Sequence, residues 1–396
     1  MNVLAIATNF PDPIHRTWAP WNKSSIDAIA SQDNVTTIVP RPIAPPMTTY
    51  YTIPRVEITQ LYTIHYMRFP YLLPKKLFYG LTGDLFKYSV SKYIAKSLTD
   101  KTIERPEVIH SFHPYPDGYG MTDISKALNV PHVITVHSRR NVEYCTAKVV
   151  RALIRASKII TVSESLVPLI NSLGIPLENI AHVSLGVNPN EFKPIERTKS
   201  KVVVPKYGIG DERIVLFVGQ LLPIKNIKAI IESIPYVTNR LKGNKSKVRF
   251  IIVGDGPERM KMEGLASNLK VTEYITFTGR IPFGDLELKE WYGISDIFVL
   301  PSFSEGKPVA IFEAMSGGCA IISSNVDGIP EQVKNGVNGY LIDPTTPGDF
   351  AKKLLLLLSK DDVLENMKKE SRRILFDLGY TWDHYQKRVR SVYEQF

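Results

Sequence analysis

Residues 301–331 read PSFSEGKPVAIFEAMSGGCAIISSNVDGIPE, a stretch that predicts a strand end, a tight loop, a helix and a second strand. The apolar run 297–300 before it is typical of a buried parallel strand. Pro308 suits the first turn of a helix, and Gly317 with Gly318 predicts the end of that helix before a strand at 320–323. A strand–loop–helix unit of this kind is the building block of a parallel sheet covered by helices.

This unit also carries two carboxylates, Glu305 and Glu313, eight positions apart. The N-terminus of a helix after a strand presents free backbone N–H groups and a positive dipole end at the carboxyl edge of the sheet, where a phosphate binds. We expect Glu305 in that crevice and Glu313, about two turns later, on its flank. Two acids at this spacing are by themselves a weak signal, because exposed glutamates are common.

The flanking residues make the pattern specific. The E-x7-E pair is followed by A-M-x-x-G and by G-I-P-E, and the whole resembles the retaining family-4 glycosyltransferases, which have the GT-B fold. The resemblance implies that Glu305 contacts the hydroxyls of the donor sugar and that Glu313 contacts the nucleotide ribose. It also implies that the loop with Gly306, Pro308 and Val309 offers backbone N–H groups to the donor diphosphate.

A second element of the second half, VGQLLPIK at 218–225, resembles the family's G-R-L-x-P-x-K, where Arg and Lys hold the diphosphate. Lys225 matches, and the resemblance implies that it stabilises the leaving nucleoside diphosphate as a point charge. Gln220 occupies the arginine position and cannot neutralise charge; losing one such contact costs about 2–4 kcal/mol in the transition state. Arg280, followed by Ile281 in a loop that lies against the base in the family, is a candidate substitute.

The first half contributes residues 107–140, which resemble the family segment with H-x-x-x-P-D-G and a strand ending in T-x-H-G-x-D. His137 falls on the family histidine near the donor sugar, so the resemblance implies a catalytic role for it. Arg139 and Arg140 follow, with Arg140 in place of the family aspartate. Two arginines there favour an anionic sugar, a phosphate or a lipid-linked diphosphate as the group bound.

The loop after the first predicted strand should face the same region. Arg16 is an acceptor-side candidate within it, and Ala19 stands where the family usually has a glycine that lets backbone approach phosphate. Asp117 either caps the helix that follows it or lines the acceptor side. We prefer the cap, because Asp before a helix normally accepts from its free N–H groups.

Short β-rich runs alternate with helical patterns, which predicts parallel sheets wrapped by helices. The predicted strands are 3–7, 35–39, 64–67, 108–110, 133–136 and 159–162, then 214–218, 250–253, 274–277, 297–300, 320–323 and 339–342. The polar, proline-marked passage 188–210 separates the two series. We expect an α/β protein of two doubly wound Rossmann-like domains facing each other across a cleft, with 1–188 on the acceptor side and 189–379 binding the nucleotide sugar.

The closing segment 380–396, YTWDHYQKRVRSVYEQF, resembles the last helix of GT-B enzymes, which returns to the first domain. Its apolar residues recur at helical spacing, which predicts a packing face. These residues are Trp382, Tyr385, Val389, Val392 and Tyr393.

The composition, 44% hydrophobic and 22% charged over 396 residues, is typical of a soluble globular chain of two domains. No stretch approaches the roughly 20 apolar residues of a membrane span, and the start does not read as a signal peptide. Cys145 and Cys319 are the two cysteines. Their spacing suggests no metal site, there is no D-x-D motif, and a reduced cytoplasmic setting is expected.

The formal net charge of +10 favours phosphates, acidic polymers or anionic membranes as partners. The excess is concentrated between residues 55 and 96, where RFPYLLPKKLFYGL at 68–81 mixes basic, aromatic and apolar residues. Two interpretations stay open: a peripheral contact with an anionic bilayer or lipid acceptor, and a half-buried loop and helix whose lysines snorkel. No helix-turn-helix or aromatic-platform motif accompanies the charge, so nucleic acid is not an expected partner.

The sequence therefore predicts a retaining glycosyltransferase that moves a sugar from a nucleoside-diphosphate sugar to a glycan or lipid-linked acceptor, as in polysaccharide biosynthesis. It requires neither a metal nor a cofactor, and the expected location is cytoplasmic, including the inner membrane surface. Two alternatives remain: a non-catalytic nucleotide-sugar-binding subunit, marked by Gln220, Ala19 and Arg140, and another GT-B enzyme such as a nucleotide-sugar epimerase or a phosphorylase. The base, the sugar, the acceptor and the linkage stay open.

Overall fold

The computed structural model describes residues 1–43, 52–71, 75–143, 147–241, 247–346 and 348–396, with the backbone alone for 75–79 and 143. The chain forms two compact units. Unit 1 comprises Met1–Leu185 with Trp382–Phe396, and unit 2 comprises Gly186–Thr381. Cys145 and part of the segment 68–81 lie outside the described residues. Within the described residues, no helix has the length and apolar character needed to cross a bilayer.

Unit 1 is built on an eight-stranded sheet. Its elements are β1 Asn2–Ile6, α1 Pro20–Ala30, β2 Asn34–Ile43, β3 Val56–Ile58, β4 Thr63–Pro70, α2 Lys75–Thr99, β5 Val108–Ser111, α3 Tyr119–Leu128, β6 His132–Val136, α4 Arg140–Glu143, α5 Ala147–Arg155, β7 Lys158–Thr161, α6 Val167–Asn171 and β8 Ile180–His182. The strand order is β3-β4-β2-β1-β5-β6-β7-β8, parallel except for β3 against β4. Parallel strands are buried on both faces, which is why their sequences are nearly continuous apolar runs.

Unit 2 is built on a six-stranded parallel sheet of order β11-β10-β9-β12-β13-β14. Its elements are α7 Val203–Tyr207, β9 Arg213–Val218, α8 Ile227–Leu241, β10 Val248–Val253, α9 Arg259–Asn268, β11 Ile275–Gly279, α10 Leu286–Ile294, β12 Ile297–Leu300, α11 Val309–Gly317, β13 Ala320–Ser324, α12 Ile329–Gln332, β14 Gly339–Ile342, α13 Asp349–Ser359 and α14 Asp361–Asp377. The strand order reverses beside β9 and β12, and the loops at such a switch point form a crevice at the carboxyl edge.

The last helix, α15 (Trp382–Tyr393), belongs to unit 1 and contacts α1. Of its predicted apolar stripe, Tyr385, Val389, Val392 and Tyr393 are buried, and Trp382 is half-buried. The Tyr393 hydroxyl lies 2.6 Å from Nδ1 of His110, and Arg390 pairs with Asp33 at 3.1 Å. The helix therefore completes the fold of unit 1, and the predicted return of the C-terminal helix is confirmed.

Two short strands escape the sequence pattern. β3 forms an antiparallel edge on β4, and its Ile58 is 81% exposed, so it shows no buried run. β8 has three half-buried residues, IAH. Both are stabilised by pairing with a neighbouring strand, which apolar periodicity does not report.

Candidate active site

Two adjacent strands of unit 2, β9 and β12, end side by side at its carboxyl edge and are followed by most of the predicted site residues of this unit. After β9 the chain makes a short turn, Pro223–Lys225, which Asn226 closes with a left-handed backbone. After β12 it forms the loop 302–308. The Nζ atom of Lys225 lies 2.5 Å from Oε1 of Glu305, so the structure brings these two predicted residues into one ion pair.

Glu305 is fixed from several directions. Its Oε1 also accepts a hydrogen bond of 2.7 Å from the Ser302 hydroxyl, and its backbone N–H donates to Asp327 at 2.8 Å. The Phe303 N–H donates to the backbone oxygen of Ile224 at 2.8 Å, which ties the two loops together. Glu305 is thus an oriented acceptor at the mouth of the crevice, with its side chain 10% exposed.

The helix α11 begins directly after this loop, with Pro308 as its N-cap residue in an extended conformation. No side chain among the described residues caps this N-terminus. Val309 and Ala310, the first residues of the helix, are half-buried. Their N–H groups have no acceptor within the helix, and together with the dipole they form a favourable place for an anion. Gly306 lies within the turn that leads to them.

Glu313 lies one turn further along α11 and is buried. Burial raises the pKa of its carboxyl group to about 7, the neighbouring Tyr292 hydroxyl offsets part of that rise, and Glu191 adds to it. A carboxyl group in this state both accepts and donates hydrogen bonds near neutral pH. It is held in place by the packed helix rather than by an ion pair.

The loops after β9 and β10 pack backbone against backbone. Gly254 has φ +142°, and a Cβ atom there would lie 1.9 Å from the carbonyl oxygen of Gly219. The Leu221 N–H donates to the oxygen of Asp255 at 3.0 Å, and a Cβ on Gly256 would meet the oxygen of Leu221 at 2.6 Å. These glycines place the loop that bears Gln220 and Lys225.

The remaining donor-side candidates of unit 2 lie on the same sheet edge. Gln220 is exposed at the start of its loop, immediately after Gly219. Arg280 is exposed directly after β11, and Ile281 next to it is half-buried. β11 is separated from β9 by β10, so Arg280 follows a strand two positions away from the one that carries Lys225. Its role as a substitute for the missing arginine stays a prediction.

In unit 1, His137 follows β6 directly. Its N–H donates to Oδ1 of Asn141 at 2.9 Å, and its ring lies 5.0 Å from that of His113. Both ring nitrogens are buried and lack a hydrogen-bond partner among the described residues. Burial, followed by the charges of His113 and His110, keeps the pKa of His137 well below its usual range. The imidazole is therefore neutral, although a contact with the backbone of Phe112 offsets part of the fall in its pKa.

The three predicted acceptor-side arginines also belong to unit 1. Arg139 and Arg140 are exposed where α4 begins, two and three residues after His137. Arg16 is exposed in the loop between β1 and α1. Each is thus placed near a carboxyl strand end of this sheet.

The prediction that Asp117 caps α3 is wrong. Its carboxylate accepts hydrogen bonds from the backbone N–H and from the hydroxyl of Thr8 instead, and no side chain among the described residues caps α3. Burial raises the pKa of Asp117 to about 7, partly offset by the Thr8 bonds. Asp117 therefore fixes the end of β1. Only the tertiary fold brings Thr8 to it, so the local cap rule favoured the wrong partner.

The sequence analysis missed two residues at this edge of the sheet of unit 1, Arg41 and His113. Arg41, buried within β2, donates to Asp12 at 2.6 Å and to the backbone oxygens of Thr8 and Phe10 at 2.9 and 2.7 Å, so it holds the loop after β1. The Nε2 atom of His113 lies 3.0 Å from Nδ2 of Asn9, and burial lowers the pKa of His113 to about 4. A charged residue inside an apolar strand pattern was the one available hint for Arg41.

Among the described residues, no group of three or more His, Cys, Asp or Glu side chains has the geometry to hold a metal ion. Cys319 is buried, and burial raises the pKa of its thiol to about 12. Cys319 therefore packs as a small apolar residue.

Comparison with known proteins adds independent findings. The family described as Glycosyl transferases group 1 matches residues 201–374, and Glycosyltransferase Family 4 matches residues 34–191. An uncharacterized glycosyltransferase of Methanocaldococcus jannaschii is 27% identical over 329 residues, which cover 79% of this chain and 81% of that protein.

Two solved structures resemble the whole chain. Sucrose-phosphate synthase from Thermosynechococcus elongatus gives a TM-score of 0.80 at 20% identity, covering 100% of this chain and 98% of that one. The Anabaena protein HepE in complex with UDP-glucose gives a TM-score of 0.72 at 16% identity, covering 100% of both chains. With the two Rossmann-like sheets, these likenesses confirm the GT-B fold.

Proposed function

The chain belongs to the family-4 glycosyltransferases of the glycosyl transferase group 1, enzymes that transfer sugar from a nucleotide-sugar donor, and from this premise we propose how its residues act. The transfer retains the anomeric configuration, requires no metal, and delivers the sugar to a glycan or lipid-linked acceptor. The observation that carries this proposal is the Lys225–Glu305 pair in front of the uncapped N-terminus of α11.

The donor diphosphate binds where positive charge and N–H groups converge. The Lys225 ammonium neutralises charge that develops on the leaving diphosphate, and the N–H groups of Val309 and Ala310 donate to its oxygens. Without donor, the ammonium is satisfied by Glu305 at 2.5 Å. When a diphosphate binds, it competes for Lys225, and Glu305 becomes available as an acceptor for the hydroxyls of the donor sugar.

Glu313 is placed to accept hydrogen bonds from the ribose hydroxyls. Its carboxyl lies one turn from the α11 N-terminus at which the diphosphate is proposed to bind. Because it is buried, a hydrogen bond to a ribose hydroxyl is not weakened by competing water. Gly306 and Pro308 shape the turn, and Ile281 with Arg280 lies on the side of the base.

In unit 1, His137 is the residue that we propose as catalytic. A neutral imidazole with buried, unpartnered nitrogens is suited to hydrogen-bond a sugar hydroxyl, and a single partner satisfies one of the orphaned atoms. We assign no protein nucleophile. The leaving diphosphate lies on the face from which the acceptor attacks, which is how retention arises without a covalent enzyme intermediate.

The acceptor is proposed to be anionic or presented at an anionic membrane on the cytoplasmic side. Arg16, Arg139 and Arg140 supply exposed positive charge next to the sheet edge of unit 1. The outer face of α2 combines Leu81, 52% exposed, and Tyr88, 67% exposed, with exposed lysines at 92 and 96. Apolar and basic groups on one helix face fit an interfacial position on a bilayer.

The first experiment is a thermal-shift screen with UDP, GDP, ADP and their common sugar conjugates, with and without EDTA. A ligand at about 100 times its dissociation constant stabilises by about 2.7 kcal/mol, and Lys225→Ala and Glu313→Ala should lose that shift. Lys228→Ala serves as the matched control, because this exposed lysine pairs with Glu232 on α8. The proposal fails if no nucleotide shifts the transition, or if both site variants keep the shift.

The base that binds then defines the donor for transfer assays. NMR of the product anomer tests retention, and an inverted product would refute it. Sedimentation with phosphatidylglycerol vesicles against phosphatidylcholine vesicles tests the membrane. Tyr88→Ala should weaken binding to the anionic vesicles, and equal binding to both lipids would exclude an electrostatic contact.

A further inference from the structure

Lys307 lies two residues after Glu305, and its side chain is fully buried. Lysine is almost never fully buried unless it is paired, because burial removes the hydration of its ammonium. Its Nζ lies 2.6 Å from Oε2 of Glu331 and 4.8 Å from the centre of the Tyr380 ring. The Tyr380 hydroxyl in turn donates to the backbone oxygen of Glu331 at 3.0 Å. The charge is therefore enclosed between a carboxylate and an aromatic face.

This pair is the charged member of a longer series of bonds. Each residue from 304 to 308 bonds to the segment 327–332, which we call the bracing segment. Ser304 Oγ and the Glu305 N–H donate to Asp327 at 2.9 and 2.8 Å. The Gly328 N–H donates to the oxygen of Gly306 at 3.0 Å. The backbone oxygen of Pro308 accepts a hydrogen bond from Nε2 of Gln332 at 3.0 Å. The Lys307–Glu331 pair lies between these two bonds along the chain.

The turn held in this way is the one that aims the proposed diphosphate donors. It carries Glu305 at its start and leads into Val309, whose N–H is uncapped by any described side chain. Gln220 leaves this site without the arginine of the family element, so a larger share of the diphosphate binding falls on Lys225 and on the N–H groups of α11. Their exact placement then matters more, since a displacement of about 1 Å in a positioned group costs about 100-fold in rate.

We propose that Lys307 is a positioning residue for the donor diphosphate: its buried ammonium, held by Glu331 and Tyr380, locks the turn 304–308 so that Glu305 and the α11 N–H groups face the phosphates. This inference rests on the proposed function of the same site. Lys307 acts through the turn and not by touching the donor, because its ammonium has no exposed surface.

The test uses Lys307→Met, which keeps the length of the side chain and removes its charge. Lys353→Met is the matched control, because Lys353 lies 4.9 Å from the centre of the Tyr340 ring in the same unit and does not belong to the turn or the bracing segment. For each protein, calorimetry gives the affinity for the nucleoside and for the nucleoside diphosphate of the base that wild type binds. Thermal unfolding gives the stability.

We expect Lys307→Met to weaken the diphosphate by about 10- to 100-fold and the nucleoside by less than about twofold. Lys353→Met should change neither. A purely structural role would lower the melting temperature and affect both ligands alike, or neither, and either result overturns the proposal. If wild type binds no nucleoside diphosphate, the proposed function itself has failed, and the inference falls with it.

Two further variants decide the matter if Lys307→Met does not fold. Glu331→Gln keeps the shape of the pair and weakens its charge, so it should show the same selective loss of diphosphate binding. Lys307→Arg keeps the positive charge and should retain more diphosphate affinity than Glu331→Gln. Wild-type affinity in Glu331→Gln, or equal losses for nucleoside and diphosphate, overturns the role of Lys307.

Discussion

Replacing Glu313 by glutamine should change how the stability of unit 2 depends on pH. In the folded chain, burial raises the pKa of this carboxyl group from 4.5 to about 7. A carboxyl whose pKa is raised by folding favours the folded state while it is protonated. That stabilisation is complete below the unfolded pKa and is lost as the pH rises through the folded pKa. Glutamine has the shape of the protonated form and does not titrate.

The size of the effect follows from the shift of the pKa. One pKa unit is worth about 1.4 kcal/mol, so the difference between 4.5 and about 7 corresponds to about 3 kcal/mol. The stability of wild type should fall relative to that of Glu313→Gln between about pH 4.5 and pH 7, and the difference should be constant above. The two proteins should be closest in stability near pH 4, and the variant should lead by about 3 kcal/mol at pH 8.

The assay must report on unit 2, because a chain of two compact units need not unfold in one step. Urea titrations at several pH values, followed by hydrogen-exchange mass spectrometry of peptides from β12 and α11, give the local free energy of unfolding. Asp117→Asn is the comparison in unit 1, since burial raises the pKa of Asp117 to about 7 as well. The change in local free energy of unfolding caused by Asp117→Asn should appear in peptides from unit 1.

A constant gap between wild type and Glu313→Gln from pH 4.5 to pH 8 would refute this reasoning. It would mean that the carboxylate is compensated in the folded state at every pH, by rearrangement or by water, so that its burial costs nothing. A gap that closes as the pH rises would show a wrong sign and would require a cation next to Glu313. Above pH 7 the buried, ionised carboxylate of Glu313 is expected to lower the stability of wild type. A bound ribose that donates hydrogen bonds to this carboxylate should reduce that loss of stability.

Four further substitutions test local features of the backbone and the site. Ala19 has φ +47° at the start of α1, so Ala19→Gly should relieve about 1–2 kcal/mol of left-handed strain, offset in part by chain entropy, and urea unfolding should show a net gain below about 1 kcal/mol. Gly254→Ala should lower the free energy of unfolding by more than about 3 kcal/mol or prevent folding, because its Cβ would lie 1.9 Å from the oxygen of Gly219. Gly264→Ala, where the new Cβ on α9 meets open space, should instead raise the free energy of unfolding by about 0.5–1 kcal/mol in the same assay. Gln220→Arg should raise kcat/KM for the nucleotide sugar at least about tenfold, and an unchanged value would show that the missing charge is already replaced.

The strand–loop–helix of residues 301–324 was predictable because its determinants are local. The helix α11 ends at Gly318, which is left-handed at φ +80°, as the paired glycines indicated. Apart from β3 and β8, the strands of both sheets were predictable because parallel strands are apolar on both faces. The family resemblance rested on motifs of the same kind, in which spacing along the chain fixes spacing in space. The features that the sequence predicted correctly are therefore those that depend on the residues of a single turn or strand.

The contacts that orient the site residues were not predictable on the same grounds. Asp327 holds the Glu305 backbone from 22 positions away, and Lys307 meets Glu331 across 24. Such pairs depend on two strand ends reaching the same edge of the sheet, and neither member is unusual in its local sequence. Lys307 reads as an ordinary surface lysine until β12 and β13 are placed side by side.

A local motif can identify an acidic residue, but its pKa and its hydrogen-bond partners depend on tertiary contacts. Glu313 was identifiable from the E-x7-E spacing, but the rise of its pKa comes from its burial and from the charge of Glu191, and the Tyr292 hydroxyl offsets part of it. Asp117 shows the consequence of using local rules for such a group: its cap role was the better local interpretation, and Thr8 is its partner. Local motifs therefore identify candidate donor-binding groups, whereas the protonation and orientation of those groups depend on tertiary contacts that the local sequence does not show.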